Sequence, residues 1–186
     1  MPKARLAGGA SIHYEDSAEE HSDHAARPAL LLLQGLGMQL IAWPEPMIAR
    51  FLQRGFRVIR MDNRDIGLSS FFDEQPPPIL RCTLSNLLGL PVGSVPYTLA
   101  DMADDAVAVL DACGVKQAHV MGASMGGMIC QWMAVKHGSR VASLTSIMSS
   151  TSAPIPHPFV SFITHSHALL PQARVGCPAA AGASST

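Results

Sequence analysis

Ala118-His119-Val120-Met121-Gly122-Ala123-Ser124-Met125-Gly126-Gly127 is the stretch whose reading decides the fold of this 186-residue chain. A short apolar run passes through residues small enough for a tight turn, Gly122 to Gly127, and on into the strongly apolar segment Met128 to His137, which Gly138 ends. Continuous apolar runs of this length fit strands covered on both faces, and the longer segment fits a buried helix. Working outward, the same strand pattern recurs three times. Ala29 to Leu33 stops at Gln34-Gly35-Leu36-Gly37, Phe56 to Met61 runs into Asp62-Asn63-Arg64-Asp65-Ile66-Gly67, and Val141 to Met148 supplies a fourth buried strand.

Helical periods separate these runs. Trp43 to Gly55 carries Met47, Ile48, Phe51 and Leu52 on one stripe, with Gly55 in the C-cap position. Thr98 precedes Leu99, Met102, Ala106, Val109 and Leu110; Asp101 stands three residues after that cap and Gly114 closes the helix. Strand and helix alternate, so the expected fold is α/β, a mostly parallel sheet with right-handed crossover helices. In such sheets function gathers at the carboxyl ends of the strands. That points to three loops: Gln34 to Gly37, Asp62 to Gly67, and Gly122 to Gly127.

Less is expected of the rest. Ser11-Ile-His-Tyr-Glu reads as an edge strand, followed by a polar turn to Arg27-Pro28. Phe71 to Pro96 reads as a long, proline-rich connection with one short helix around Leu84 to Leu88. Pro171 to Thr186 is mostly Ala, Gly, Ser and Pro, with one Arg and one Cys among the rest, which predicts a disordered low-complexity tail behind a partial domain over residues 1–170.

Composition narrows the function classes. A chain 48% hydrophobic and 15% charged, with a formal net charge of -1, is globular and has no basic field for nucleic acid. Cys82, Cys113, Cys130 and Cys177 form no CxxC pair and no metal-ligand spacing, so free, mostly buried thiols are expected. No run of about twenty apolar residues occurs, and none suits a signal peptide, so the expectation is a cytoplasmic protein without membrane contact. Oligomeric state is not legible.

Gly122-Ala123-Ser124-Met125-Gly126 matches GxSxG, and its place between a buried strand and an apolar helix is where a nucleophile elbow belongs. The turn brings strand and helix backbones together, which requires small residues two before and two after the serine; Gly122 and Gly126 meet that requirement. The helix N-terminus would face an oxyanion formed beside Ser124, with the Met125 amide as one donor and the Leu36 amide as the second. The alternatives are an incidental serine in a Gly-rich turn and a phosphate loop. The sequence lacks the GxxxxGK[ST] lysine and does not fit GxGxxG, which weighs against the latter.

From Pro28 to Ser150 the chain resembles the α/β-hydrolase superfamily. The likeness rests on Leu33-Gln34-Gly35-Leu36-Gly37, on Arg60 to Ser69, on Tyr97 to Asp105 and on His119 to Gly127. It is nearest to the branch of small esterases that includes aclacinomycin methylesterase, with enol-lactonases and proline iminopeptidases more distant. The resemblance implies a serine esterase acting on a small carboxylic ester, with no metal or organic cofactor. Relatives usually have His-Gly where this chain has Gln34-Gly35, a change that leaves the backbone donor intact. It implies a structural role for Asp62 and Asp65 in the site floor.

The family's triad runs Ser, then Asp or Glu, then His. No Asp or Glu follows Ser124, and the histidines that do follow, His137, His157, His165 and His167, are out of place for the base. His137 is expected to face solvent or helix carbonyls. The expectation is therefore a C-terminally truncated chain, its sheet incomplete on the C-terminal side and its catalysis impaired. A non-catalytic remnant or small-ligand binding protein is the alternative.

Overall fold

A computed structural model of the protein describes residues 2–72 and 96–151. It has six strands in one sheet: β1 (Lys3–Arg5), β2 (Ser11–Asp16), β3 (Ala29–Leu33), β4 (Arg57–Met61), β5 (Ala118–Ala123) and β6 (Val141–Ile147), in the order β1-β2-β4-β3-β5-β6. β1 and β2 pair antiparallel, as do β2 and β4; the pairs β4 with β3, β3 with β5 and β5 with β6 are parallel. A short helix, α1 (Ser17–Glu20), follows β2. α2 (Glu45–Gln53) connects β3 to β4, α3 (Leu99–Ala112) lies between β4 and β5, and α4 (Met125–Lys136) connects β5 to β6. The expected α/β class with a mostly parallel sheet is what the chain adopts.

The alternation of side chains along a strand divides the core in two. Ala29, Leu31 and Leu33 of β3, with Ile59 and Met61 of β4 and Ala118 and Val120 of β5, pack on Met102, Ala106, Val109 and Leu110 of α3 and on Ile129, Cys130 and Met133 of α4. Leu30, Leu32 and Val58 face the other way, against Trp43 and Ile48, with Met47, Phe51 and Leu52 of α2 alongside. β3 is buried along its whole length because both faces are covered. Each of its leucines contributes about 1.5–3 kcal/mol by leaving water.

Local signals set the helix ends. Thr98 Oγ1 accepts from the Asp101 N–H, while Asp101 Oδ2 accepts from the Thr98 N–H, so two otherwise unpaired donors are satisfied at the start of α3. Gly55 and Gly114 follow α2 and α3 with φ of +83° and +66°, the left-handed conformation that ends a helix.

Three expectations are corrected. Ser11–Asp16 is not an edge strand: the three-residue β1 covers it, held by Ala4, which is buried in the same cluster as Ile12. The following segment is not a simple turn but α1 and a 3₁₀ turn over Ser22–Ala26, with Asp16 Oδ1 capping α1 through the Ala18 N–H. Val141–Ile147 is not a buried strand; every residue in it is half-buried or exposed, since β5 is its only strand neighbour among the described residues. The expected helix around Leu84 to Leu88, the tail 171–186, Cys82, Cys177, His157, His165 and His167 lie outside the described residues. No helix among the described residues is long and apolar enough to cross a membrane.

Candidate active site

Strand order fixes where the site can be. From β3 the chain moves to β4 on one side, then crosses back over β3 to β5 and on to β6, so the winding direction reverses between β3 and β5. The two loops that leave the carboxyl ends of these strands are where sheets of this kind bind ligands. They are Gln34 to Gly37 and the turn at Ser124.

The turn is tighter than the sequence predicts. β5 continues to Ala123 and α4 begins at Met125, so Ser124 alone makes the junction. It does so with φ 52° and ψ -119°, a conformation that costs a non-glycine residue about 1–3 kcal/mol and that collects at functional sites. Ser124 is exposed. Its N–H donates to the Ile147 carbonyl at 2.8 Å and its carbonyl accepts from the Gly127 N–H at 2.9 Å, which ties the turn to β6 and to the first turn of α4.

Glycine is required here by contact. A Cβ on Gly122 would lie 2.2 Å from the Gly126 carbonyl, and one on Gly126 would lie 2.2 Å from the Leu33 carbonyl oxygen. Both obstacles are backbone and cannot swing aside. A Cβ on Gly35 would stand 3.2 Å from Ser124 Cβ and 3.7 Å from Ser124 Oγ, so the β3 loop passes directly beside the serine. The Leu36 amide follows at that point of approach. Met125 opens α4, and its N–H has no intrahelical acceptor. The loop also carries exposed apolar side chains, Leu36, Met38 and Ile41, and Leu68, Phe71 and Met148 are exposed on the loops after β4 and β6.

The loop after β4 is tied to the loop after β3. Asp62 Oδ1 accepts from the Leu40 N–H at 2.8 Å and Oδ2 from the Leu68 N–H at 3.1 Å. Asp62 also explains Gly67, where a Cβ would meet Asp62 Oδ2 at 2.2 Å. Asp65, at φ +63°, accepts from the Phe72 N–H at 2.7 Å and from the Tyr97 hydroxyl. Burial, then that hydrogen bond, push the Tyr97 hydroxyl up to about 12. Neither aspartate has its oxygens turned to Ser124 in any of these bonds.

Asn63 is the residue of this loop that sequence reasoning passed over. It is buried, and its Nδ2 donates to the Gln34 carbonyl at 3.0 Å. Its Oδ1 is buried with no hydrogen-bond partner among the described residues, a shortfall that typically costs about 1–3 kcal/mol. No local pattern marks such a contact, because its two residues are far apart in the chain.

His137 is not turned to solvent or to the helix carbonyls as expected. Its Nε2 lies 2.7 Å from Asp104 Oδ1 on α3, and Lys136 Nζ lies 2.6 Å from the other oxygen. The cause is the close packing of α3 on α4, which brings the carboxylate within reach. His137 also sits at the opposite end of the twelve-residue α4 from Ser124, about 18 Å along the axis. Cys113 and Cys130 are free thiols; burial pushes both up to about 12, which keeps them protonated. No cluster among the described residues could hold a metal ion.

Comparison with known proteins places this geometry. The alpha/beta hydrolase fold family matches residues 28–172. Rhodomycin D methylesterase DauP of Streptomyces sp. (strain C5) is 34% identical over 131 residues, 70% of this chain and 38% of the relative. The putative carbamate hydrolase RutD of Caulobacter vibrioides is 35% identical over 145 residues, 78% of this chain and 45% of the relative. Among solved structures, a hydrolase from Pseudomonas aeruginosa PA01 superposes with a TM-score of 0.59 at 31% identity, covering 80% of this chain and 46% of that one. An enol-lactonase from Burkholderia xenovorans LB400 gives 0.56 at 26% identity, covering 75% and 44%. The chain thus spans less than half the length of these relatives. It belongs to the alpha/beta hydrolase family.

Proposed function

We propose that Ser124 is the nucleophile of a serine hydrolase site for small carboxylic esters, with the Leu36 and Met125 amides as its oxyanion donors. The observation that carries this reading is the backbone of Ser124: an exposed serine held alone at the strand-to-helix junction at φ 52°, ψ -119°, with Gly35 against its side chain. In the reaction Oγ attacks the ester carbonyl carbon and gives up its proton. The carbonyl oxygen takes the negative charge beneath the two amides, the bond to the alcohol oxygen breaks, and the alcohol leaves with a proton. Water then releases the acid. One oxyanion donor is worth roughly 3 kcal/mol of transition-state stabilisation.

The exposed apolar side chains on the segments after β3 and β4, Leu36, Met38, Ile41, Leu68 and Phe71, favour an ester with an apolar acyl or alcohol group. The methylesterase and enol-lactonase among the similar proteins are consistent with ester or lactone bonds. The site needs no metal or organic cofactor.

Within these 186 residues no Asp or Glu follows Ser124, and His137 is engaged by Asp104. A base oriented by an acid in the family order is therefore not supplied by this stretch, and slow or incomplete turnover is proposed for it. The same observation supports a second reading, binding of a small apolar ligand at these loops without hydrolysis. Both are separated by treating the chain with a fluorophosphonate and with a p-nitrophenyl ester. Labelling that maps to Ser124 and vanishes in Ser124→Ala is the expected result; labelling that is absent, or equal in the two proteins, removes the nucleophile reading and leaves binding alone.

A further inference from the structure

We infer that Asn63 is a positioning residue for the oxyanion loop: its side chain holds the Gln34 carbonyl so that the next amides along, at Gly35 and Leu36, face the atom that Ser124 attacks. The inference rests on the reading of Ser124 and Leu36 given above. Its basis is the Gln34 carbonyl oxygen, which is a meeting point of the three loops. Asn63 Nδ2 donates to it at 3.0 Å from the β4 loop. From the elbow side, a Cβ on Gly126 would lie 2.8 Å from the same oxygen. The peptide that begins at Gln34 is thus gripped between the β4 loop and the first turn of α4, one residue before the chain passes Ser124.

The other end of the loop is tied to the neighbouring residue, since Asp62 Oδ1 accepts from the Leu40 N–H at 2.8 Å. Between these two ties Leu36, Gly37, Met38 and Gln39 are exposed, and Gly37 has φ +73°. Interior packing therefore does not orient the peptide planes of residues 36 to 39; the turn closed by the Met38 N–H donating to the Gly35 carbonyl at 3.2 Å, anchored at its two ends by the ties from Asn63 and Asp62, does. The chemistry selects asparagine. A carbonyl oxygen needs a donor, so an aspartate in the same place would set lone pair against lone pair. Asn63 keeps that bond while its own Oδ1 goes unpartnered among the described residues.

The test uses two reactions at one atom. In a Ser124→Cys background the thiol is treated with p-nitrophenyl acetate, whose attack passes through a tetrahedral oxyanion. It is also treated with iodoacetamide, whose displacement of iodide forms none. Modification of the peptide containing position 124 is followed by mass spectrometry, with Asn63 intact and as Asn63→Leu, near-isosteric and uncharged, or Asn63→Asp, the same shape without the donor. The expected result in both variants is acylation slower by about 10- to 100-fold with alkylation within about twofold, the scale of a misplaced catalytic group. A ratio of acylation to alkylation that does not change, or loss of folding in both variants by circular dichroism, assigns Asn63 to the fold alone and overturns the inference. Failure of the parent chain to take a fluorophosphonate would instead count against Ser124 as nucleophile, and the ratio would still be measured.

Discussion

At the start of β4, Arg57 donates from Nε and from a second guanidinium nitrogen to both oxygens of Asp16; just past the end of the same strand, Arg64 does so to Asp105. All four side chains are buried. Their surroundings differ. Asp16 also accepts from the Ala18 N–H, and Arg57 also donates to the Cys113 carbonyl at 2.8 Å. Burial pushes the Asp16 carboxyl up, but Arg57 and the Ala18 amide outweigh it and hold the group below its usual range. For Asp105 burial dominates, Asp104 and Asp101 add to it, and the carboxyl stays raised despite Arg64. Arg64 in turn lies against the faces of both the Phe72 and Tyr97 rings, at 4.7 and 4.6 Å, and the two rings themselves stand 5.7 Å apart.

The contrast extends to the two ends of the sheet. Raised Asp105, unpartnered Asn63 Oδ1 and the left-handed backbones of Asp65 and Ser124 all lie at the carboxyl ends of the parallel strands. At the opposite end the Arg57–Asp16 pair is fully bonded, although His24 Nδ1 in the turn before β3 is also buried without a partner among the described residues. The positive-φ backbones thus mark the site end more sharply than the under-satisfied groups do, in line with strain collecting where chemistry is proposed.

Glycine substitutions test the contrast most severely. Gly126→Ala drives a methyl into the Leu33 carbonyl, and the expected loss exceeds about 4 kcal/mol in urea denaturation, enough to prevent folding in a chain of ordinary stability. Gly138→Ala, at the other end of α4 where a Cβ meets nothing within 4 Å, is expected to stay within about 0.5 kcal/mol of the parent. Equal effects would abolish the distinction between the two ends.

Asp16→Asn comes next, because it leaves Arg57 buried without its counter-charge; the expected cost at pH 7 is about 3–5 kcal/mol. Since the folded pKa of Asp16 is depressed below 3.8, its contribution is complete above that pH and fades as the pH falls through the folded value. The gap between parent and variant should therefore close in acid. Asp105 has the opposite sign: its folded pKa lies above 3.8, so its ionised form costs stability at pH 7, and acidification through the raised pKa relieves that cost. Asp105→Asn is accordingly expected to cost less at pH 7 than Asp16→Asn, in the same denaturation series.

The smallest effect is a gain. Ser124→Gly removes the steric objection to φ 52°, and after the added chain entropy of glycine the expected stabilisation is about 1 kcal/mol in thermal or urea melts, with fluorophosphonate labelling lost. A variant no more stable than its parent would show that Ser124 stores no strain.

What the sequence made legible is what is local. Thr98 and Asp101 stand three residues apart, Gly55 and Gly114 end their own helices, and Gly122 is set by the Gly126 backbone four residues on; in each case cause and effect lie within about one turn of chain, whereas the Leu33 carbonyl that also demands glycine at 126 does not. The unbroken burial of Leu30 to Leu33 could be read for the same reason. The cap that β1 gives to β2, the engagement of His137 by Asp104 and the grip of Asn63 on Gln34 could not, because each depends on which elements the sheet order makes neighbours. The half-exposed face of β6 escaped notice for a related reason: an apolar strand reads alike in the middle of a sheet and at its margin.

The approach of Gly35 to Ser124 joins residues on either side of the connection that passes over β3, so it belongs to the class of distant pairings that close slowly during folding. Helices α2, α3 and α4 have short-range signals of their own and can form before Gly35 and Ser124 meet. With Ser124 as the proposed nucleophile, its acylation would report the end of folding: in a refolding experiment helical content should return first, and the capacity to be acylated last.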